Sequence, residues 1–312
     1  MSAPADREGS LEDQVLRLTD LVSDLETRVR QLAPYAENDP ILPAVAMIGD
    51  LVKVGGPNIE AWRYWLADVA ERDDEGRYAR VLRDPWPLPD SRNREGYCAG
   101  DHIAYWLSGL SDFLKTAEAA ARHGVEGGRF YEFGGGTGRV YRHFAAQSDA
   151  WEVWSSDFRL SSVHWSLANF PPAVRVFANT SAPSLPLPEG AFDLVAAYSV
   201  FTHIDEAETQ WLLELRRILK PGGLAYLSVH DEDTWLTEEP LRRQVASACK
   251  LDPDRPLPEG RTVAVWRDDD PYNCNVFHSQ GYIRSVWGRF FEVLEIKPRW
   301  VGAQAAVVLR RS

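Results

Sequence analysis

Cysteine is scarce in this chain, and the few residues present follow no recognisable pattern. The 312 residues include three cysteines, Cys98, Cys249 and Cys274, which are widely spaced and odd in number. Disulfide-stabilised domains need an even, grouped set, and structural zinc sites use closely paired cysteines. The sequence therefore predicts neither a disulfide framework nor a zinc site, and it supplies no other set of metal ligands that we would assign.

Long apolar runs are also missing. No stretch approaches the roughly 20 apolar residues that a membrane-spanning helix needs. Residues 2–10 are small, polar or charged and contain no apolar segment, unlike a secretory signal peptide. We therefore expect a cytoplasmic protein with no membrane span.

Basic residues are fewer than acidic residues in this chain. Lys and Arg number 34 against 46 Asp and Glu, which gives a formal net charge of -12. Proteins that hold nucleic acid through its phosphates need a basic surface. A nucleic-acid partner is therefore not expected, and a neutral or cationic small molecule suits this chain better.

The N-terminal region has an apolar repeat. Apolar residues recur in alternating steps of four and three, at Leu11, Val15, Leu18, Val22, Leu25, Val29 and Leu32. This is the seam of a coiled coil over about three heptads. Residues 1–40 are interpreted as a coiled-coil arm and linker that joins two copies into a homodimer; the alternative is that the stripe packs on its own domain.

Two further regions follow the arm. Residues 41–127 have helical patterns interrupted by the proline-fixed segment Arg83–Pro89, and are interpreted as a helical accessory region that covers the substrate. From residue 128 to 312, short β-branched and aromatic runs alternate with helical patterns, which is typical of a parallel sheet with crossover helices. The predicted strands are Arg129–Phe133, Trp151–Ser156, Val174–Ala178, Phe192–Tyr198 and Leu224–His230, followed by an antiparallel pair at Phe290–Lys297 and Gln304–Arg310. The predicted helices are Arg139–Ala146, Ser161–Asn169, Asp205–Leu219 and Glu238–Ala248.

A glycine-rich segment follows the first predicted strand and opens a helix. It reads Glu-Phe-Gly-Gly-Gly-Thr-Gly over residues 132–138. Glycines allow the backbone to turn tightly and to approach a ligand closely. Glu132, at the end of the strand, would lie unfavourably beside a dinucleotide pyrophosphate but suits a ligand with an ammonium group.

This segment resembles the first motif of class I S-adenosylmethionine-dependent methyltransferases. The resemblance implies a doubly wound, seven-stranded, Rossmann-like α/β domain, with S-adenosylmethionine as the cofactor. It places Asp157, at the end of the second strand, on the ribose hydroxyls. The cofactor-binding residues that it implies are Glu132, Gly134, Gly135, Gly136, Gly138, Asp157, Phe158, Asn179, Ser181 and Ser199.

A longer signal supports the same family. Residues 185–203 and 214–223, the latter ending in Lys-Pro-Gly-Gly, resemble the fourth and fifth strand region of these enzymes. One departure concerns adenine, because the loop after the third strand lacks the usual acidic residue. Asn179 or Ser181 would have to serve there instead, and the sequence does not decide between them.

The methyl acceptor has no motif of its own. The chain lacks an Asn-Pro-Pro-Tyr segment and a Pro-Cys pair, which disfavours transfer to amide or base nitrogen and to cytosine carbon. Candidate general bases lie after the sheet strands, where open α/β sheets bind their ligands. We choose His278 and His230, with His203 third; the first is expected in a polar loop that opens a helix. Asp231–Asp233 is read as a solvated loop rather than a metal site.

The predicted function is methyl transfer from S-adenosylmethionine to a hydroxyl of a sugar, glycan or other small molecule. The C-terminal half resembles bacterial class I methyltransferases that occur beside glycan and natural-product assembly genes, which favours oxygen. The alternatives are an N-methyltransferase for an amino sugar or small amine, and a cofactor-binding scaffold without turnover. A dehydrogenase is disfavoured by Glu132.

Overall fold

The computed structural model describes residues 80, 83–90, 93–94, 97–98, 102–265 and 273–312. The predicted coiled-coil arm and most of the accessory region lie outside these residues. Among the described residues, no helix is both long and apolar enough to cross a bilayer.

One seven-stranded sheet organises the molecule. Its order is β3-β2-β1-β4-β5-β9-β8, with β1 to β5 parallel and β9 antiparallel to both of its neighbours. The strands are β1 (Gly128–Phe133), β2 (Trp151–Asp157), β3 (Arg175–Ala178), β4 (Phe192–Ala197), β5 (Leu219–Val229), β8 (Glu292–Val301) and β9 (Gln304–Arg310). The order reverses direction between β1 and β4, which is where open α/β sheets form their ligand crevice. The predicted Rossmann-like methyltransferase fold is confirmed.

Helices cover both faces of the sheet. They are α1 (His102–Arg122), α2 (Tyr141–Gln147), α3 (Leu160–Asn169), α4 (Glu208–Ile218), α5 (Glu232–Thr237), α6 (Glu239–Cys249) and α7 (Gln280–Val286). Because side chains alternate along a strand, Phe130 of β1 joins the core formed with α1 and α2, while Tyr131 joins the core formed with α4 and α7. The sheet is therefore buried on both sides, as a doubly wound fold requires.

A buried ion pair fastens the segment before α1 to the domain. Asp84 and Arg142 are both fully buried and lie 2.7 Å apart, and Asp84 also accepts a hydrogen bond from the indole of Trp106 on α1. The pKa of Asp84 is lowered because the guanidinium outweighs the effect of burial. Residues 83–90 are thereby held against α1 and α2, close to the end of the glycine-rich segment.

An insertion between β5 and β8 forms a small second sheet. Its strands are β6 (Arg261–Val265) and β7 (Cys274–His278), which pair antiparallel. Helix α6 agrees with the sequence prediction, whereas β6, β7 and α5 were not predicted. The interpretation of Asp231–Asp233 as a solvated loop is wrong, because the carboxylate of Asp231 caps α5 by accepting from the backbone N–H groups of Asp233 and Thr234.

Candidate active site

A cavity of about 1000 Å³ lies at the carboxyl ends of β1, β2, β3 and β4. Its first wall, here called the motif wall, consists of residues 132–137, 157–159, 179–181 and 199–200. A second wall comes mostly from other segments, although Arg139 directly follows the glycine-rich segment and Tyr198 directly precedes Ser199. It includes Asn93, Arg94, Tyr97, Tyr105, Arg139, Tyr198, His203, Asn273, Cys274 and Asn275.

The glycine-rich segment follows β1 in a conformation that requires glycine. Gly134 has φ +73°, and a Cβ atom there would lie 2.5 Å from Cγ2 of Val200. Gly136 has φ +54°, and a Cβ atom there would meet nothing within 4 Å, so its backbone borders open space in the cavity. Gly138 does not line the cavity; a Cβ atom there would lie 2.7 Å from the Phe170 ring. The structure therefore does not place Gly138 in contact with the cofactor. Glycine is needed there because a side chain would overlap the Phe170 ring.

Glu132 is a buried carboxylate that faces the cavity. Its Oε2 atom is buried and has no hydrogen-bond partner among the described residues. Burial raises the pKa of Glu132 to about 8, although the charge of Arg139 acts in the opposite direction. An unpaired buried acceptor is costly unless a ligand completes it. An ammonium group, such as the one at the methionine end of S-adenosylmethionine, fits this requirement.

Asp157 ends β2 and anchors the glycine-rich segment. Its Oδ2 accepts from the backbone N–H of Gly136 at 2.9 Å, and its Oδ1 accepts from that of Arg159 at 2.8 Å. Burial nonetheless raises the pKa of Asp157, because these hydrogen bonds only partly offset desolvation. Each carboxylate oxygen has a second acceptor site, which leaves the side chain able to accept from two ribose hydroxyls.

The residues expected near adenine and the remaining cofactor atoms also line the cavity. Phe158 is half exposed, and Ser181 lies beside Asn179 in the loop after β3. The amide of Asn179 is used at both ends, since its oxygen accepts from Ser156 and its nitrogen donates to the carbonyl of Thr180. Asn179 thus fixes the loop. Ser199 adopts φ +57°, which is uncommon for a residue with a side chain, and its hydroxyl bonds to Gln304 of β9.

His203 is the candidate base that reaches the cavity. It is exposed, and its Nδ1 lies 2.6 Å from the carbonyl oxygen of Cys274. Because a carbonyl can only accept, Nδ1 carries the proton and donates it. The other ring nitrogen, Nε2, is then the proton acceptor of the neutral ring.

The structure does not bring the other two histidines to the cavity, although His230 directly follows β5 as predicted. His278 is the last residue of β7 rather than part of a polar loop; it is fully buried, and its Nε2 lies 2.8 Å from Oε2 of Glu208. Glu208 also accepts from the indole of Trp287 and the hydroxyl of Tyr282. His230 is buried against Phe277, with ring centroids 4.9 Å apart, and burial lowers its pKa to about 3. Neither ring lines the cavity.

The sequence interpretation missed most of the second wall. Arg139 lies over the rings of Tyr97 and Tyr198 at 5.0 and 5.7 Å from their centroids, and its guanidinium lies 2.6 Å from the buried carboxylate of Asp112. Arg94 lies over the ring of Tyr105 at 4.9 Å. An arginine directly after the glycine-rich segment was a visible signal, but its two aromatic partners come from two separate segments and follow no motif.

Comparison with known proteins agrees with this geometry. Residues 131–227 match a family described as "Methyltransferase domain". No curated protein matches the chain.

Several solved structures are similar in fold. An S-adenosylmethionine-dependent methyltransferase from Methanosarcina mazei is 14% identical with a TM-score of 0.46, covering 62% of this chain and 96% of that one. A possible histamine N-methyltransferase from Thermotoga maritima is 18% identical with a TM-score of 0.44, covering 71% and 97%. The glycopeptide N-methyltransferase MtfA, complexed with S-adenosylmethionine, is 17% identical with a TM-score of 0.44, covering 63% and 86%. Identities and scores this low do not bear on the acceptor.

Proposed function

We propose that this chain, whose residues 131–227 match a methyltransferase domain, transfers a methyl group from S-adenosylmethionine to a hydroxyl of a small-molecule acceptor such as a sugar. The observation that carries the choice of oxygen is His203. Its ring lines the cavity, with Nδ1 donating to the carbonyl of Cys274. A hydroxyl needs a base as it attacks, whereas an amine that arrives neutral does not.

The motif wall holds the cofactor in this proposal. S-adenosylmethionine would supply a methyl group bonded to its positively charged sulfonium sulfur, and S-adenosylhomocysteine would leave as an acceptor oxygen attacks the methyl carbon. Glu132 receives the ammonium group, and Asp157 accepts from the ribose hydroxyls while holding Gly136 through its backbone N–H. Their main contribution is alignment, because displacement requires the acceptor in line with the bond that breaks.

His203 takes the proton of the acceptor. The fixed Nδ1–H donor sets the tautomer, so Nε2 receives the proton as the oxygen–carbon bond forms and the carbon–sulfur bond breaks. The carbonyl of Cys274 then stabilises the charged ring through the same hydrogen bond. A base in this position typically contributes about 10²–10⁴-fold to the rate.

The cavity also limits the size of the acceptor. Ligand pockets commonly measure about 300–1000 Å³, and this cavity of about 1000 Å³ has to hold both cofactor and acceptor. A small molecule or one end of a larger one is therefore proposed. The net charge of -12 favours a neutral acceptor over an anionic one.

A direct test is an acceptor screen that follows release of S-adenosylhomocysteine, with sugars, phenols and amines as separate groups. Turnover with hydroxyl compounds that falls in His203→Ala supports the proposal. Turnover confined to amines would replace it with N-methylation. Cofactor binding without turnover in any group would indicate a scaffold.

We also propose that residues 1–40 join two copies of the chain. The support is the heptad spacing from Leu11 to Leu32. A chain that begins near Ile41 should lose oligomeric mass by light scattering while it keeps its affinity for the cofactor. A full-length chain that is monomeric at micromolar concentration would contradict this proposal.

A further inference from the structure

Two asparagines of the second wall lack the side-chain hydrogen bonds that fix Asn179 in the motif wall. Asn273 and Asn275 line the cavity and are half buried. Neither side chain makes a hydrogen bond with any residue in the described part of the chain. Asn179, by contrast, has both ends of its amide bonded to neighbouring residues. Amides that line a cavity and have no partner in the described part of the chain are available to a ligand, which would replace the solvent bonded to them.

The same two residues flank the position that orients the base. The carbonyl of Cys274, between them, accepts from Nδ1 of His203 at 2.6 Å. The next residue, Val276, donates its backbone N–H to the carbonyl of Thr202 at 2.8 Å. The thiol of Cys274 also donates to the carbonyl of His203 at 3.2 Å, so three hydrogen bonds fasten the start of β7 to the loop of His203. Any ligand group that the two amides bind must lie close to the proposed base.

The chemistry of an amide defines what these residues can recognise. Each side chain offers two N–H donors and a carbonyl acceptor without a net charge. A hydroxyl is both donor and acceptor, so an amide can complete both of its hydrogen-bonding roles. Two amides separated by one residue in an extended segment, about 7 Å from each other, can bond separate hydroxyls of one acceptor, which a phenol with a single hydroxyl cannot offer.

We propose that Asn273 and Asn275 select an acceptor that carries several hydroxyls, that is, a sugar or a similar polyol, and present one of its hydroxyls to His203. This inference rests on the proposed function, because it identifies the substrate class of the same cavity. The two residues bind the hydroxyls that are not methylated. Their strand belongs to the insertion between β5 and β8, so the acceptor can be selected without altering the residues that hold the cofactor.

The first test measures binding without turnover. The full chain loaded with S-adenosylhomocysteine is titrated with a panel of methyl glycosides, by calorimetry or ligand-observed NMR. Loss of one or two hydrogen bonds should weaken binding of the recognised glycoside by about three- to tenfold in Asn273→Ala and in Asn275→Ala. Asn169→Ala, a change on α3 outside the cavity, is the matched control and should bind as the unaltered protein does. Affinity for S-adenosylhomocysteine should be the same in all four proteins.

The second test measures turnover. With the glycoside, the two variants should raise KM by a similar factor and leave kcat nearly unchanged. With a phenol that has one hydroxyl, they should match the unaltered protein. His203→Ala should instead lower kcat for both classes of acceptor.

The outcomes separate the two proposals. If no glycoside binds, or if both asparagine variants bind and turn it over normally, the inference about Asn273 and Asn275 is wrong even when phenols are methylated. If glycosides bind through the two asparagines but only amines are methylated, the recognition of a polyol by Asn273 and Asn275 holds, whereas the presentation of a hydroxyl to His203 and the proposed hydroxyl transfer both fail.

Discussion

The two walls of the cavity are built differently. The motif wall comes from short consecutive runs at the ends of β1 to β4, and several of its polar side chains bond to one another or to nearby backbone, as Asp157 does with Gly136. The second wall gathers residues from before and within α1, from the turn before α2, from the loop after β4 and from the start of β7. Two of its amides, Asn273 and Asn275, have no hydrogen-bond partner among the described residues. Each wall thus keeps a few polar groups without a partner among the described residues: Oε2 of Glu132 in the motif wall, and the two asparagine amides in the second.

Because the two walls differ in this way, we expect substitutions in each wall to affect a different ligand, the cofactor or the methyl acceptor. Changes in the motif wall should alter cofactor affinity, whereas changes in the second wall should alter turnover or acceptor affinity. A variant that weakens the binding of cofactor and acceptor by the same factor would contradict this division of roles.

The largest effect is expected at the base. His203→Ala should lower kcat by about 10²–10⁴-fold because the acceptor loses its proton acceptor, with cofactor affinity unchanged by calorimetry. His164→Ala, an exposed histidine on α3 outside the cavity, is the control and should be fully active.

His278→Ala tests whether the buried histidine of β7 has a structural role or a catalytic one. It should lower the free energy of unfolding by about 1–3 kcal/mol, because Glu208 loses a buried partner. Normal turnover at a temperature where this variant is folded would confirm that His278 is structural. A catalytic loss in His278→Ala with normal activity in His203→Ala would reverse the assignment.

A smaller effect, on binding alone, is expected at Gly134. Gly134→Val should weaken cofactor binding by about 100-fold, since a branched side chain is strained at φ +73° and would overlap Val200. Gly190→Val is the control, because Gly190 also has positive φ but open space around it and lies outside the cavity. Equal losses of affinity in both variants would point to general strain rather than to the site.

Asp157→Asn should weaken cofactor binding by about tenfold or more, because a charged acceptor of two ribose hydroxyls becomes a neutral amide. Calorimetry measures this, and the exposed Asp149→Asn serves as the control. Unchanged affinity would remove Asp157 from the ribose.

The smallest effect concerns pH. Glu132 in the free protein has a pKa of about 8, and an ammonium ligand favours its charged form, so binding should release close to one proton near neutral pH. Cofactor affinity should rise several-fold from about pH 6.5 to 7.5, and Glu132→Gln should abolish this slope. Calorimetry in buffers of different ionisation enthalpy counts the protons.

The same residue links pH to stability in the free protein. The folded-state pKa lies above the unfolded value of 4.5, so the free protein loses stability as the pH rises from 4.5 to about 8. Glu132→Gln should therefore raise the melting temperature of the free protein at pH 8 while it weakens cofactor binding. A lower melting temperature would contradict the buried, unpaired state of Glu132.

The sequence allowed much of the motif wall to be predicted because its signals are local. Strand ends, glycine spacing and the acidic residues all fall within short runs, and predicted β1, β2 and β4 match the observed strands within a residue at each end. The second wall could not be predicted in the same way. His278 was misplaced because its polar neighbours suggested a loop, whereas its partner Glu208 lies 70 residues away in sequence.

The position of β9 has a consequence for how the protein is made. This strand lies between β5 and β8, and its Gln304 bonds to Ser199 at the cavity and to Ser228. A ribosome delivers β9 after every other strand of the sheet, and chains tend to fold as they emerge. Until then one edge of β5 has no β9 to pair with and Ser199 lacks its partner. The pocket is therefore completed only after β9 has been synthesised, and a chain truncated before Gln304 should fail to bind cofactor even though every motif residue is present.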